Sequence, residues 1–261
     1  MVVFEENASY SSVVGSSSAS NLNSYVHDCA LATDYTSLVH PSLPNYLEAV
    51  TGQNFAFAPW TSDCQASDPG CRTSAASVFG QTPDWKSYAE SMPSNCDPSN
   101  ASTPDGVYYA RHNPAVYFTA VQSACASRDV PMGTVRSGAL HDDVAHGTLP
   151  VFSTVTPNGT NDGHDSDVAT ADAWLGPWIA EITAGPDYRA GRLTVEIVWD
   201  EGEDESQQIP SVWLSAYIRP GATSGAGFTH YSTLRAAEEI AGVPLLGRAA
   251  TAADPRAAFG F

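Results

Sequence analysis

Lysine is nearly absent from this chain. Lys86 is the one lysine among 11 basic residues, which face 29 acidic ones, for a formal net charge of −18 over 261 residues. Such a chain repels nucleic acid and anionic membrane surfaces, so neither is an expected partner. A phosphorylated ligand would need a local arginine or a metal to offset the acidic field. No apolar run reaches transmembrane length, which excludes stable membrane insertion by a helix. There is no GxGxxG and no P-loop pattern, so dinucleotide and Walker-type nucleotide binding have no support. None of the five cysteines forms a CxxC pair, which argues against a structural zinc site.

The cysteines that are present suit disulfides. Cys64 and Cys71 flank a loop of Gly, Pro, Asp and Ser and can close a small ring, while Cys96 and Cys125 bracket a longer irregular segment. Two disulfides and a buried free Cys29 are expected, and with them an oxidising compartment, secreted or in the cell envelope. Met1-Val2-Val3-Phe4 reads as a strand already under way, as expected if an export signal has been removed.

The chain alternates strand and helix. Met1–Phe4, Ala115–Phe118, Leu149–Thr156, Leu193–Trp199 and Val212–Ile218 read as strands. Asn21–Leu31, Trp85–Met92, Asp167–Ala184 and Thr229–Ala241 read as helices. The pattern predicts a single α/β domain over 1–261, with a mostly parallel central sheet flanked by helices on both faces. Residues 53–110 are expected to form an irregular, disulfide-bearing insertion or cap within it.

The most informative stretch is His40-Pro41-Ser42-Leu43-Pro44-Asn45-Tyr46. Pro41 keeps His40 out of helical geometry, Pro44 suits a first helical turn, and Gly52 can end the helix that follows. Ser42 therefore stands just before a helix over Asn45–Val50, where unpaired backbone N–H groups and the helix dipole favour an anion. A serine there can equally be a helix cap.

Other polar groups fall where strands end, the place an open parallel sheet presents its ligand site. They are Glu6-Asn7, His164-Asp165 and Asp200-Glu201, with Arg111-His112 before a strand and His230 at a helix start. Carboxylates plus an amide oxygen suit a hard divalent cation. Taken singly, each cluster reads as readily as solvated surface or as a cap. His27, His141 and His146 have no supporting context.

Together these blocks resemble a bacterial phosphoesterase family that includes secreted acid phosphatases and phospholipases C, within the alkaline phosphatase superfamily. Val2 to Tyr10 resembles "VVVMENHSY", and His40 to Tyr46 matches "HPSLPNY". Arg111 to Pro114 resembles "KHNP", and Asn161 to Asp165 resembles "NDMHD". Val198 to Glu201 matches "TWDE", and Thr229 to Arg235 resembles "THYSLLRT". Glu5 stands where the family often has Met, and Ala8 where it has His.

The resemblance implies a metal held by Glu6, Asn7, Ser42, Asp200 and Glu201. It implies Ser42 as nucleophile through a phosphoseryl intermediate, with His112 and His164 around the transferring phosphoryl group. Asn45, Arg111 and His230 are expected near the substrate, a small phosphorylated molecule. One divalent ion is implied; a second, at His164 and His230, stays open. Three readings remain: a phosphomonoesterase, a phosphodiesterase or phospholipase C, and a non-hydrolytic metal- or anion-binding protein that keeps the fold.

Overall fold

The computed structural model describes residues 1–261. Eight of its ten strands form one sheet: β1 (Val2–Glu5), β2 (Ala30–Ala32), β3 (Trp85–Ala89), β6 (Asp129–Pro131), β7 (Phe152–Thr156), β8 (Thr194–Trp199), β9 (Ser211–Ser215) and β10 (Ala222–Ser224). The other two, β4 (Ala101–Thr103) and β5 (Gly106–Tyr108), make a separate hairpin. The sheet order is β10-β2-β9-β8-β1-β7-β3-β6. Every neighbouring pair is parallel except those of β9, which runs antiparallel to β2 and β8.

The centre is β1, with β7 and β8 parallel on either side. Val2, Val3, Phe4 and Glu5 are all buried, as expected of a strand covered on both faces. Successive side chains alternate between the faces. Phe4 packs on Tyr46 of the Ser42–Thr51 helix, with ring centroids 4.8 Å apart. Val3 lies on the other side, among Trp174, Leu175 and Trp178 of the Val168–Ala184 helix. Helices thus cover both faces. The two disulfides are Cys64–Cys71 and Cys96–Cys125, and Cys29 is free and buried.

Several elements differ from the sequence expectation. Trp85–Met92 is not a helix: Trp85–Ala89 is a sheet strand between β7 and β6, and pairing on both sides overrides a weak local helical pattern. The 53–110 segment therefore supplies part of the central sheet as well as loops. Ala115–Phe118 is not a strand but lies mostly in a short 3-10 turn over Pro114–Tyr117. Pro114 at its start has no N–H to give a ladder, and the apolar side chains are buried by packing alone. Asn21–Leu31 divides into a helix over Ser20–Val26 and the strand Ala30–Ala32. The first long helix begins at Ser42 itself and ends at Gly52, whose φ of 67° gives the left-handed cap that glycine favours.

Candidate active site

The site forms where β1 and β8 end together. Glu5 is in register with Trp199, so Glu6-Asn7 and Asp200-Glu201 leave adjacent parallel strands at the same level. Asn7 turns the chain with a φ of 50°, a conformation that asparagine tolerates better than most residues. Its backbone N–H donates to Asp200 Oδ1 at 3.3 Å.

The Ser42 helix enters from one face of the sheet. Its first residue, Ser42, donates from Oγ to Glu6 Oε2 at 3.0 Å. The hydroxyl is therefore not spent on capping its own helix. Tyr46, four residues on and on the same helical face, donates from its hydroxyl to Glu6 Oε1 at 2.7 Å. Tyr46 also stacks on His112, with centroids 5.5 Å apart and planes within 5°.

His112 completes this wall. Its Nδ1 lies 3.0 Å from Asp162 Oδ2. Its Nε2 faces Glu6 Oε1 at 3.2 Å, too poorly aligned for a hydrogen bond. With the proton on Nδ1, two lone pairs face each other across that gap, which a cation would relieve. His164 lies beside it, the two ring centroids 5.4 Å apart. Arg111 can only donate, so its contact of 2.9 Å makes His164 Nε2 the acceptor. Nδ1 then carries the proton and points to Asp165 Oδ1 at 2.9 Å. In this arrangement His164 has no proton to offer a leaving group. Arg111 also stacks over Tyr109 at 3.9 Å and approaches Asp63 at 3.7 Å, supplying local positive charge in an acidic chain.

Glu6, Asp162 and Asp200 are almost wholly removed from solvent, and Glu201 is buried at the edge of the cluster. Burial, then mutual repulsion with Asp200 and Asp162, pushes the Glu6 carboxyl well above the usual carboxylate range. Burial raises Asp200 to about 7, and burial followed by the charge of Asp200 raises Glu201 to about 9. Asp200 Oδ2 has no hydrogen-bond partner. Oxygen donors that repel one another in a dry site, with one orphaned oxygen among them, fit a hard divalent cation. Glu6, Asp200, Ser42 Oγ, Asn7 and Glu201 are the candidate oxygen ligands. Glu6, His112 and His164 also bring one ligand atom each within 4.8 Å of one another.

Two expected substrate-binding residues have other work. Asn45 accepts from the backbone N–H groups of Leu38 and Val39, at 3.1 and 3.3 Å, and donates to Val39 O at 2.6 Å. It holds the loop before Ser42 and also donates to Glu201 Oε2 at 3.4 Å, so it braces a candidate ligand as well as the backbone. His230 is fully buried; its Nε2 meets the Asp200 carbonyl at 2.6 Å and its Nδ1 meets Tyr35 at 3.2 Å. Both ring nitrogens are occupied, so His230 lies behind the ligand cluster and pairs with no metal at His164. The helix start is also less open to an anion than expected, because Leu43 N donates to Asp63 Oδ1 at 3.0 Å.

Four further residues escaped sequence reasoning. The four-residue spacing from Ser42, which puts both side chains on one helical face, is the signal that could have found Tyr46. Asp162 stands two residues before His164, whose backbone N–H it accepts at 2.8 Å. His40 Nδ1 sits 2.9 Å from Glu201 Oε2, and only its place in the Ser42 stretch hinted at this. Nothing local marked Asp63, which arrives from a distant loop.

Solved structures with this architecture include a protein of the alkaline phosphatase superfamily from Vibrio parahaemolyticus. It aligns with a TM-score of 0.63 at 12% identity, covering 98% of this chain and 70% of its own. The lipoteichoic acid synthase LtaP from Listeria monocytogenes aligns with a TM-score of 0.60 at 11% identity, covering 94% of this chain and 72% of its own. The chain shares the fold of these structures. Residues 16–244 match the Phosphoesterase family, and the chain belongs to that family.

Among its relatives, the phosphatidylinositol-3-phosphatase of Mycobacterium tuberculosis is 30% identical over 253 residues, covering 97% of this chain and 79% of its own length. The probable acid phosphatase of Kluyveromyces lactis is 29% identical over 258 residues, covering 95% of this chain and 59% of its own length. The acid phosphatase of Aspergillus fumigatus is matched over 49% of its length. The chain thus spans roughly half to three-fifths of these two fungal relatives.

Proposed function

We propose that this protein is a metal-dependent phosphatase that hydrolyses small phosphomonoesters through a phosphoseryl intermediate on Ser42. The observation that carries this reading is the Ser42 hydroxyl, 3.0 Å from Glu6 and free of any capping role, beside the carboxylates of two adjacent strand ends. A bound divalent ion would lower the pKa of the serine hydroxyl and screen the incoming phosphate. Glu6, Asn7, Ser42, Asp200 and Glu201 are the residues to hold it.

The protein groups divide the remaining work. Ser42 Oγ forms the new bond to phosphorus as the bond to the leaving oxygen breaks, and Glu6 is placed to take the hydroxyl proton. Arg111 faces the charge that spreads over the phosphoryl oxygens, and neutral His112 lines the site beside it with its proton on Nδ1 toward Asp162. Tyr46 holds Glu6 in place by hydrogen bond and His112 by stacking. Water then displaces Ser42, releasing phosphate and restoring the hydroxyl. The leaving group takes its proton from solvent or another donor, because His164 Nε2 is held by Arg111. The two disulfides favour an oxidising compartment outside the cytoplasm. No helix is long and apolar enough to cross a membrane.

A lipid phosphomonoester is the second reading, favoured by the name of the mycobacterial relative and opposed by the net charge of −18, which disfavours approach to an anionic bilayer. The test is hydrolysis of an aryl phosphate by wild type and Ser42→Ala, each with and without prior chelation. The expected result is loss of activity by about 1,000-fold or more in the variant and recovery of the chelated wild type with a divalent ion. Activity that survives Ser42→Ala sinks the nucleophile assignment. A metal-loaded wild type that is inactive on the aryl phosphate but cleaves a phosphoinositide presented in mixed micelles moves the substrate to the second reading.

A further inference from the structure

Leu43 directly follows Ser42, and Pro44 beyond it has no N–H to give. The Leu43 N–H is therefore the next backbone donor after the proposed nucleophile. It is taken up by a side chain from another part of the chain, donating to Asp63 Oδ1 at 3.0 Å. The second oxygen of that carboxylate, Oδ2, lies 3.7 Å from Arg111 Nε, which has no hydrogen-bond partner. One carboxylate thus spans a helix-start amide and a guanidinium. Two donors of this kind also suit two oxygens of a phosphoryl group.

The backbone of Asp63 is anchored on both sides. Its own N–H donates to the Trp60 carbonyl at 3.1 Å, and Trp60 is buried. Cys64, next in sequence, is bridged to Cys71, and its carbonyl accepts from the Tyr117 hydroxyl at 2.8 Å. Between these ties Asp63 has a φ of 50°, a left-handed conformation that aspartate tolerates. The side chain is 26% exposed, so it can turn to solvent about its own torsions while the backbone stays. Burial pushes its carboxyl up from the ordinary aspartate range, and the Leu43 N–H, Arg111 and His164 draw it back toward the charged form.

We propose that Asp63 sets the affinity of the phosphoester site: its carboxylate competes with the phosphoryl oxygens of substrate and product for the Leu43 N–H and Arg111, and turns aside when they bind. The inference rests on the reading of the Ser42 site as one that holds a phosphoryl group. The competitor is part of the chain, so an incoming anion gains only what it offers beyond a carboxylate. A phosphomonoester brings more charge and more oxygens than Asp63 and can displace it. The same competition acts on the product, so Asp63 also weakens the hold on released phosphate.

The test is calorimetric titration of inorganic phosphate into the full chain as purified, for wild type, Asp63→Asn and Asp63→Gly. Asparagine removes the charge; glycine also removes the acceptor and suits the φ of 50°. Both variants are expected to bind phosphate about tenfold more tightly than wild type and to lower KM for an aryl phosphate by a similar factor. The ratio is expected to persist at about 1 M salt, where the screening length is ~3 Å. A ratio that vanishes there belongs to the general acidic field and overturns the proposal. Phosphate affinity that is unchanged or weaker in the variants overturns it too. So does a fall in kcat/KM that is larger for an alkyl than for an aryl phosphate, which makes Asp63 the acid for the leaving group. The two readings fail separately, because phosphate binding needs no turnover. Hydrolysis with a phosphate affinity unmoved by either variant removes only the role of Asp63, whereas tighter phosphate in variants of a chain that hydrolyses nothing removes only the catalysis. No phosphate binding by any of the three chains overturns both. Should Asp63→Asn fail to fold, Asp63→Gly decides the matter.

Discussion

The ring nitrogen Nε2 of His230 lies 2.6 Å from the backbone carbonyl of Asp200, inside the protein and out of reach of solvent. A carbonyl only accepts, so Nε2 carries the proton and Nδ1 accepts from Tyr35 at 3.2 Å. Burial holds the imidazole neutral by lowering its pKa to about 4. The turn that presents Asp200 and Glu201 is thus pinned from behind by a residue whose two ring nitrogens are both occupied.

This makes His230 a positioning residue. His230→Phe keeps the ring volume and removes both bonds. The variant is expected to bind a divalent ion about 10–100-fold more weakly, with the chelated protein still folded. Ion titration followed by circular dichroism checks both parts. Unchanged ion affinity in a folded variant would falsify the role.

Protons and the proposed divalent ion would compete for the carboxylate cluster. Asp200 and Glu201 have folded-state values of about 7 and about 9, and Glu6 is also raised. Their unfolded values are near 4. Between those limits the chelated folded state holds more protons than the unfolded chain, so stability falls as pH rises. The proposed divalent ion would replace those protons. The chelated protein is expected to melt lower at pH 8 than at pH 5, and added ion to raise the melting temperature most at pH 8. A chelated protein that gains stability over this range contradicts the argument.

Glu5 is an unpartnered acid inside the core. It is 0% exposed, and neither carboxyl oxygen has a hydrogen bond. Burial and the charges of Asp162, Glu90 and Asp172 push its pKa well up. Glu5→Met replaces the polar head with a flexible apolar group of similar length. A gain of about 1–3 kcal/mol in unfolding free energy is expected, measured by urea denaturation. A loss of stability would show that Glu5 has a partner in solution.

The Cys96–Cys125 bridge closes a loop of sequence separation 29. It ties the segment after β3 to the helix Gln122–Arg128, which leads into β6 at the sheet edge. Replacing both cysteines with serine is expected to cost ~3–4 kcal/mol by the chain-entropy argument. Thermal unfolding of the double variant, set against Cys29→Ser, checks it: the free Cys29 should matter far less.

Much of this protein was readable along the chain. Strands buried on both faces carry continuous apolar runs, so Val2–Phe4 and Leu193–Trp199 announced the sheet centre. Pro41, Pro44 and Gly52 bounded the Ser42 helix because proline and glycine act through their own backbone geometry. Glu6-Asn7 and Asp200-Glu201 were legible as neighbours because adjacent parallel strands bring their carboxyl ends together. Tertiary structure decided what depends on pairing and packing. Trp85–Ala89 became a strand because β7 and β6 supply partners that five residues cannot specify. Asn45 and His230, polar and well placed in sequence, were turned to backbone carbonyls and amides that only the folded chain brings near. Asp63 joined the site from a loop, and Glu196 kept an unpartnered oxygen inside the fold. A local pattern encodes which backbone and which face; the bonds a buried polar group must make are fixed only when the neighbours that remove its water have arrived.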